Sequence, residues 1–197
     1  MIHMRSRYHN CPLTIILWFG IFEGRKAVGQ MKIRDMAICG LFAALLAICA
    51  WLSIPVGDSV ISLQTFGVFL VLGLLGGKRG CITIVTYLLL GAVGLPVFSG
   101  FRGGFGALLG PTGGYLIGFL AMGLVYWAVP KKLPAMLAGL FTCYLFGTLW
   151  YYGFYLHSGN SGNLFVVFCI CVLPYILPDL LKLGLAWALT KRLKHHL

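Results

Sequence analysis

From Met36 to Leu193 the chain is a succession of apolar runs about 15–30 residues long. Short basic or glycine-rich breaks separate them. A helix crosses a bilayer with about 20 apolar residues. A water-facing globule of 197 residues has too much surface to hide so many. Only 10% of the residues are charged, against about 25% in an ordinary soluble domain. The acids are Glu23, Asp35, Asp58 and Asp179. The pattern predicts an all-α integral membrane protein.

The runs predict six transmembrane helices. The first covers about 36–54 and is turned by Pro55-Val-Gly-Asp58. The second covers 60–75 and ends at Gly76-Gly77-Lys78-Arg79, and the third covers 81–95. A glycine-rich segment, Pro96 to Gly114, separates it from a fourth at 115–129, which Pro130-Lys131-Lys132 ends. The fifth covers 133–156. Pro174 and Pro178 interrupt the last apolar stretch, and proline breaks or bends a helix. A short outer helix to about Leu173 is therefore expected, then a sixth span over 175–193.

Orientation follows from the basic residues. Lys32, Arg34, Lys78, Arg79, Lys131, Lys132, Lys191, Arg192 and Lys194 fall on one side only if the chain crosses six times. Arg102 is alone on the other. Cytoplasmic loops carry the excess of Lys and Arg. Both termini are thus expected in the cytoplasm, with the glycine-rich loop between helices 3 and 4 outside. The net charge of +11 is spread among these clusters. Nucleic-acid binding is therefore not expected. Residues 1–30, with an apolar run too short to span (Cys11 to Phe22), read as an N-terminal extension, either an interfacial segment or a stretch upstream of a start at Met31. Residues 31–197 form the membrane domain.

Most of the seven cysteines lie in apolar runs and read as small packing residues. No P-loop, HExxH or GxSxG motif occurs, and no cofactor is expected. Active transport by this chain would need energy from another polypeptide or an ion gradient.

Three charges break the rule that charge sits at the inner ends: Arg102, Asp179 and Lys182. Asp179 and Lys182 stand at i, i+3 and share a helix face. Intramembrane ionisable groups face a cavity or each other. They are either a packing ion pair or a ligand site, and the two roles can coexist. Arg102 lies among glycines and phenylalanines in a segment too apolar for a plain surface loop. Non-helical backbone at membrane depth lines a cavity or is buried in protein. Arg102 either presents a fork to a carboxylate or snorkels to headgroups. The first span carries small residues at helical spacing: Cys39, Ala43 and Ala47 in one line, Gly40 and Ala44 in the next. Such lines let helices approach closely, inside the bundle or against a partner. Gly114-xxx-Gly118 is expected to pack internally.

Taken together, Gly94-Leu-Pro-Val-Phe-Ser-Gly100, Leu109-Gly-Pro-Thr-Gly-Gly-Tyr115, Gly147-Thr-Leu-Trp150 and Pro178-Asp-Leu-Leu-Lys182 resemble the BioY family. These are the biotin-binding S components of energy-coupling factor (ECF) transporters. The resemblance runs from about Met31 to Leu193. It implies six helices that capture biotin from outside and dock on a transmembrane coupling protein driven by two cytosolic ATPases. It also implies Asp179 and Lys182 as biotin contacts, and Ala43 and Ala47, with Gly40 and Ala44 beside them, as the docking line. Phe98, Ser99 and Tyr115 lie in the matched motifs and join Arg102 as candidate ligand residues. The alternatives are an S component for another vitamin, an intramembrane enzyme acting on membrane lipid, and an assembly subunit in which the charged pair only holds helices.

Overall fold

The computed structural model describes residues 33–56, 59–158 and 163–196. The expected extension at 1–30 lies outside the described residues. The first helix, α1 (Ile33–Trp51), is apolar on every side. Its inward face carries Cys39, Ala43, Leu46 and Ala50, while Ile33, Met36, Leu41 and Ile48 point outward. A helix apolar all round suits lipid on one side and protein on the other.

Two short strands follow, β1 (Ser53–Val56) and β2 (Ser59–Ser62), paired antiparallel with Ser53 opposite Ser62 and Val56 opposite Ser59. This corrects the expectation that the second span begins at residue 60. Val56, Val60 and Ile61 are β-branched and favour the pleated state. Pro55 is tolerated because a two-stranded ribbon is all edge. The Leu63 amide donates to the Leu52 carbonyl at 2.9 Å and closes the base of the ribbon.

The next helix, α2 (Gln64–Ala92), is doubled back on itself. Gly76 has φ 80° and ψ 179°, outside any helical region. Glycine reaches positive φ without the Cβ penalty other residues meet. Gln64 Nε2 donates to the Tyr87 hydroxyl at 2.9 Å, whereas a straight helix would hold residues 23 apart about 35 Å from each other. The arms 64–75 and 77–92 are therefore the expected second and third spans.

The glycine-rich segment contains one helical turn and a little more, α3 (Phe105–Leu109), and leads into α4 (Gly113–Ala128). Helix α5 (Lys132–His157) packs against α4 through glycines. Gly114 and Gly118 lie against Trp150 and Cys143, and Gly139 and Gly147 against Met122 and Tyr115. The internal role expected for Gly114-xxx-Gly118 is thus observed. Small residues at such contacts let backbones approach where lipid offers no hydrophobic drive between helices.

The last element, α6 (Leu164–His196), is continuous. The separate outer helix expected up to Leu173 is absent. Pro174 and Pro178 lack the amides that would bond the carbonyls of Ile170 and Pro174. Because these prolines are four apart, the two gaps fall on one strip of the helix. Everywhere else, helix is the conformation that satisfies backbone groups in lipid.

Helices α1, α2, α5 and α6 are long and apolar enough to cross a membrane, and α4 is a shorter apolar helix. With α2 counted as two arms, the bundle has six crossings. Its core includes Phe69, Leu72, Ile84, Tyr87, Met122 and Met136. The basic clusters gather at one end. Arg79 pairs with Asp35 at 3.1 Å, Gly77 sits against Trp127, and Lys132 lies over the Tyr126 ring. Grouping on one side is the arrangement that six crossings require.

Candidate functional site

Asp179 and Lys182 occupy one face of α6 and are almost fully buried, 4% and 7% exposed. Lys182 Nζ donates to Asp179 Oδ1 at 2.7 Å, and the Tyr144 hydroxyl of α5 donates to Oδ2 at 2.6 Å. A buried charge without partners costs several kcal/mol. Here each carboxylate oxygen has one strong donor. A carboxylate offers about four acceptor positions, so the group retains capacity for further N–H donors.

One turn further along α5, Thr148 Oγ1 is 3.2 Å from the Tyr115 hydroxyl of α4. Gly147 leaves the space that the Tyr115 ring fills. Tyr144, Thr148 and Gly147 thus form a polar stripe on α5 toward α4 and α6. A cavity of about 340 Å³ lies between α5 and α6, with Thr148 on its wall and Leu145, Leu164 and Phe168 around it. Asp179 and Lys182 are not among its lining residues.

A second buried polar group lies under the glycine-rich segment. Besides accepting from Gln64, the Tyr87 hydroxyl donates to the Val97 carbonyl at 2.9 Å. Ser99 Oγ donates to Gln64 Oε1 at 3.2 Å. Phe98 is 3% exposed and meets Tyr87 edge-on at 5.5 Å. Its ring fills the space left by the missing side chain of Gly91. Above it the chain turns sharply, with the Phe98 amide donating to the Arg102 carbonyl at 3.0 Å. Phe101 takes φ 57°, an uncommon conformation for a bulky residue. Its exposed ring stacks on Trp51 at 5.1 Å, and Trp51 Nε1 donates to the Pro96 carbonyl at 2.7 Å.

The predicted site residues therefore separate. Asp179 and Lys182 come together with Tyr144, and Tyr115 lies beside Thr148. Ser99 and Phe98 belong to the Gln64–Tyr87 group. Arg102 is exposed, and among the described residues no hydrogen bond or ion pair joins it to Asp179 or Lys182. Charge marked Asp179 and Lys182 in the sequence. Tyr144, Gln64 and Tyr87 carry no charge and lie outside the motifs, so neither signal points to them. Thr148 sits inside the Gly147–Trp150 motif, which was the available signal for it.

The two small-residue lines of α1 face opposite ways. Ala43 and Ala47 are 1% and 6% exposed and pack into the bundle. They share the face of α1 that turns toward α2, where Leu46 and Cys49 meet Gly67. Gly40 and Ala44 lie on the outer face, and a Cβ at Gly40 would meet no atom within 4 Å.

Six apolar crossings around a buried acid, base and tyrosine define a multi-pass membrane protein with an intramembrane polar site. In that class ionisable groups mark ligand or solute positions. The family model described as the BioY family matches residues 24–197, and the chain belongs to that family. The biotin transporter BioY of Thermotoga maritima is 39% identical over 168 residues, 82% of this chain and 96% of that protein. The probable biotin transporter BioY of Pyrococcus horikoshii is 37% identical, covering 83% and 98%. A crystal structure of the S-component for biotin from an ECF-type ABC transporter superposes with TM-score 0.72 at 27% identity. It covers 83% of this chain and 92% of that one. These relatives are transporters by name, which sets aside the lipid-acting enzyme.

Proposed function

We propose that this protein captures biotin and serves as the substrate-binding S component of an ECF-type transporter. The observation that carries the reading is the buried Tyr144–Asp179–Lys182 group in a chain of this family. Biotin presents two ureido N–H donors, a carbonyl, an apolar thioether ring and a carboxylate. Asp179 accepts from the ureido head. Lys182 or Arg102 meets a biotin oxygen. Tyr115, Ser99 and Phe98 belong to the surrounding shell. Tyr144 holds the Asp179 carboxylate in place. The basic end of the bundle faces the cytoplasm and the glycine-rich segment faces out.

Partner contact is assigned to the open line Gly40–Ala44 on α1. It docks against a transmembrane coupling protein that two cytosolic ATPases drive. Small side chains there let a partner helix approach closely.

Equilibrium binding of labelled biotin to the purified protein tests the reading, with thiamine and riboflavin as competitors. Asp179→Asn is expected to weaken biotin about tenfold, the loss of one charge-assisted hydrogen bond. Unchanged affinity in a folded variant removes Asp179 from the site. Displacement by another vitamin at equal concentration would reassign the substrate.

A further inference from the structure

At the basic end of the bundle, a cavity of about 340 Å³ opens between α2, α4, α5 and α6. Gly73 and Thr190 lie on its wall with the rings of Tyr126 and Trp187, and Lys132, Lys191 and Lys194 surround it. Lys132 Nζ is 4.9 Å from the Tyr126 ring centre, and Lys191 Nζ is 5.4 Å from the Trp187 ring centre. Aromatic faces thus hold two of the three ammonium groups. Among the described residues the ion pairs are Arg79–Asp35 and Lys182–Asp179, and no described carboxylate pairs with these three lysines.

A second observation concerns Thr190, which lines the same cavity. Thr190 is 4% exposed, and its hydroxyl has no hydrogen-bond partner among the described residues. It lies against Gly73, where the missing side chain makes room for it. A buried polar atom without a partner is an exception that calls for a ligand or a bound water. Three cations, two rings and one unused hydroxyl fit an anion attached to an apolar body.

We propose that this cavity binds the phosphate headgroup of an anionic phospholipid. The lysines neutralise the phosphodiester, the Thr190 hydroxyl donates to one of its oxygens, and the aromatic faces take the glycerol and first acyl carbons. Lipid suits the site better than free phosphate because the surface lining the cavity is mostly apolar despite the three lysines, and the cavity sits at the end of a membrane bundle.

The test is native mass spectrometry of the full chain in detergent, titrated separately with phosphatidylglycerol and phosphatidylcholine. Phosphatidylglycerol is expected to bind preferentially. The Lys132→Gln/Lys191→Gln/Lys194→Gln variant should lose about 100-fold in affinity, roughly fivefold per basic residue. Equal retention of the two lipids, or an undiminished preference in that variant, overturns the proposal. Displacement of the lipid by an equal concentration of inorganic phosphate overturns it in favour of a free-phosphate site. Thr190→Val preserves shape and all three charges, so it decides the matter if the triple variant fails to fold. About tenfold weaker phosphatidylglycerol binding is expected, and unchanged binding overturns the proposal.

Discussion

Among the described residues, two places carry charge away from the basic end of this bundle, and packing treats them in opposite ways. Asp179 and Lys182 sit on a membrane-spanning helix, buried, with Tyr144 completing their hydrogen bonds. Arg102 stands exposed on a tight turn, and its backbone does the structural work through the Phe98 amide. In the linear sequence both are charges set in apolar surroundings. The difference teaches that depth and partners decide what such a charge does. A helix fixes direction to a neighbouring helix, whereas a glycine-rich turn leaves a long side chain free to point outward.

The strongest way to break the comparison is to orphan one member of the buried pair. Asp179→Leu leaves Lys182 buried without its counter-charge and is expected to lower stability by about 3–5 kcal/mol. Thermal unfolding in detergent would read this. Adding Lys182→Met should recover most of that stability while biotin binding stays lost. Recovery of binding as well would make the pair a packing device alone.

A smaller effect separates the two lines of α1. Ala43→Leu forces extra carbons into a closed helix contact and is expected to destabilise by about 1–3 kcal/mol. Ala44→Leu adds the same atoms on the open face and should leave unfolding and biotin affinity unchanged. It should instead reduce co-purification of the coupling protein and its ATPases. Equal destabilisation by both variants would contradict the placement of the two lines.

The smallest change is expected at the turn. Arg102→Ala should alter stability by no more than about 0.5 kcal/mol, measured by the same unfolding curves. Its biotin affinity then decides whether the arginine reaches the ligand at all. A loss matching that of Asp179→Asn would place it in the site despite its exposure.

The six crossings were legible because apolar length and basic punctuation are properties of single segments. The break at Gly76 could be placed because Gly76-Gly77 precedes Lys78-Arg79. The pair Asp179–Lys182 was legible because i, i+3 spacing fixes a shared face. What could not be read depended on neighbours. Nothing in the sequence distinguishes Tyr144 from Tyr126 until α6 is laid beside α5. Which line on α1 faced inward was likewise undetermined, since Ala43 and Ala44 are the same residue. Pro174 and Pro178 misled because the rule that proline ends helices is learned from water. In lipid, an interrupted helix exposes more unpaired backbone than a continuous one with two gaps.

The doubling of α2 at Gly76 also has an electrostatic side. The second arm begins with Lys78 and Arg79, and α5 begins with Lys132 just after Lys131. The start of a helix carries the positive end of its macrodipole, so cations there are unfavourable by about 0.3–1 kcal/mol each. The group at the end of α6, Lys191, Arg192 and Lys194, sits where a helix welcomes it. Asp35 offsets part of the conflict by pairing with Arg79. The charges that orient the chain in the bilayer, Arg34 at the start of α1 included, thus work against three helix starts, and those starts are held by the bundle rather than by their own dipoles.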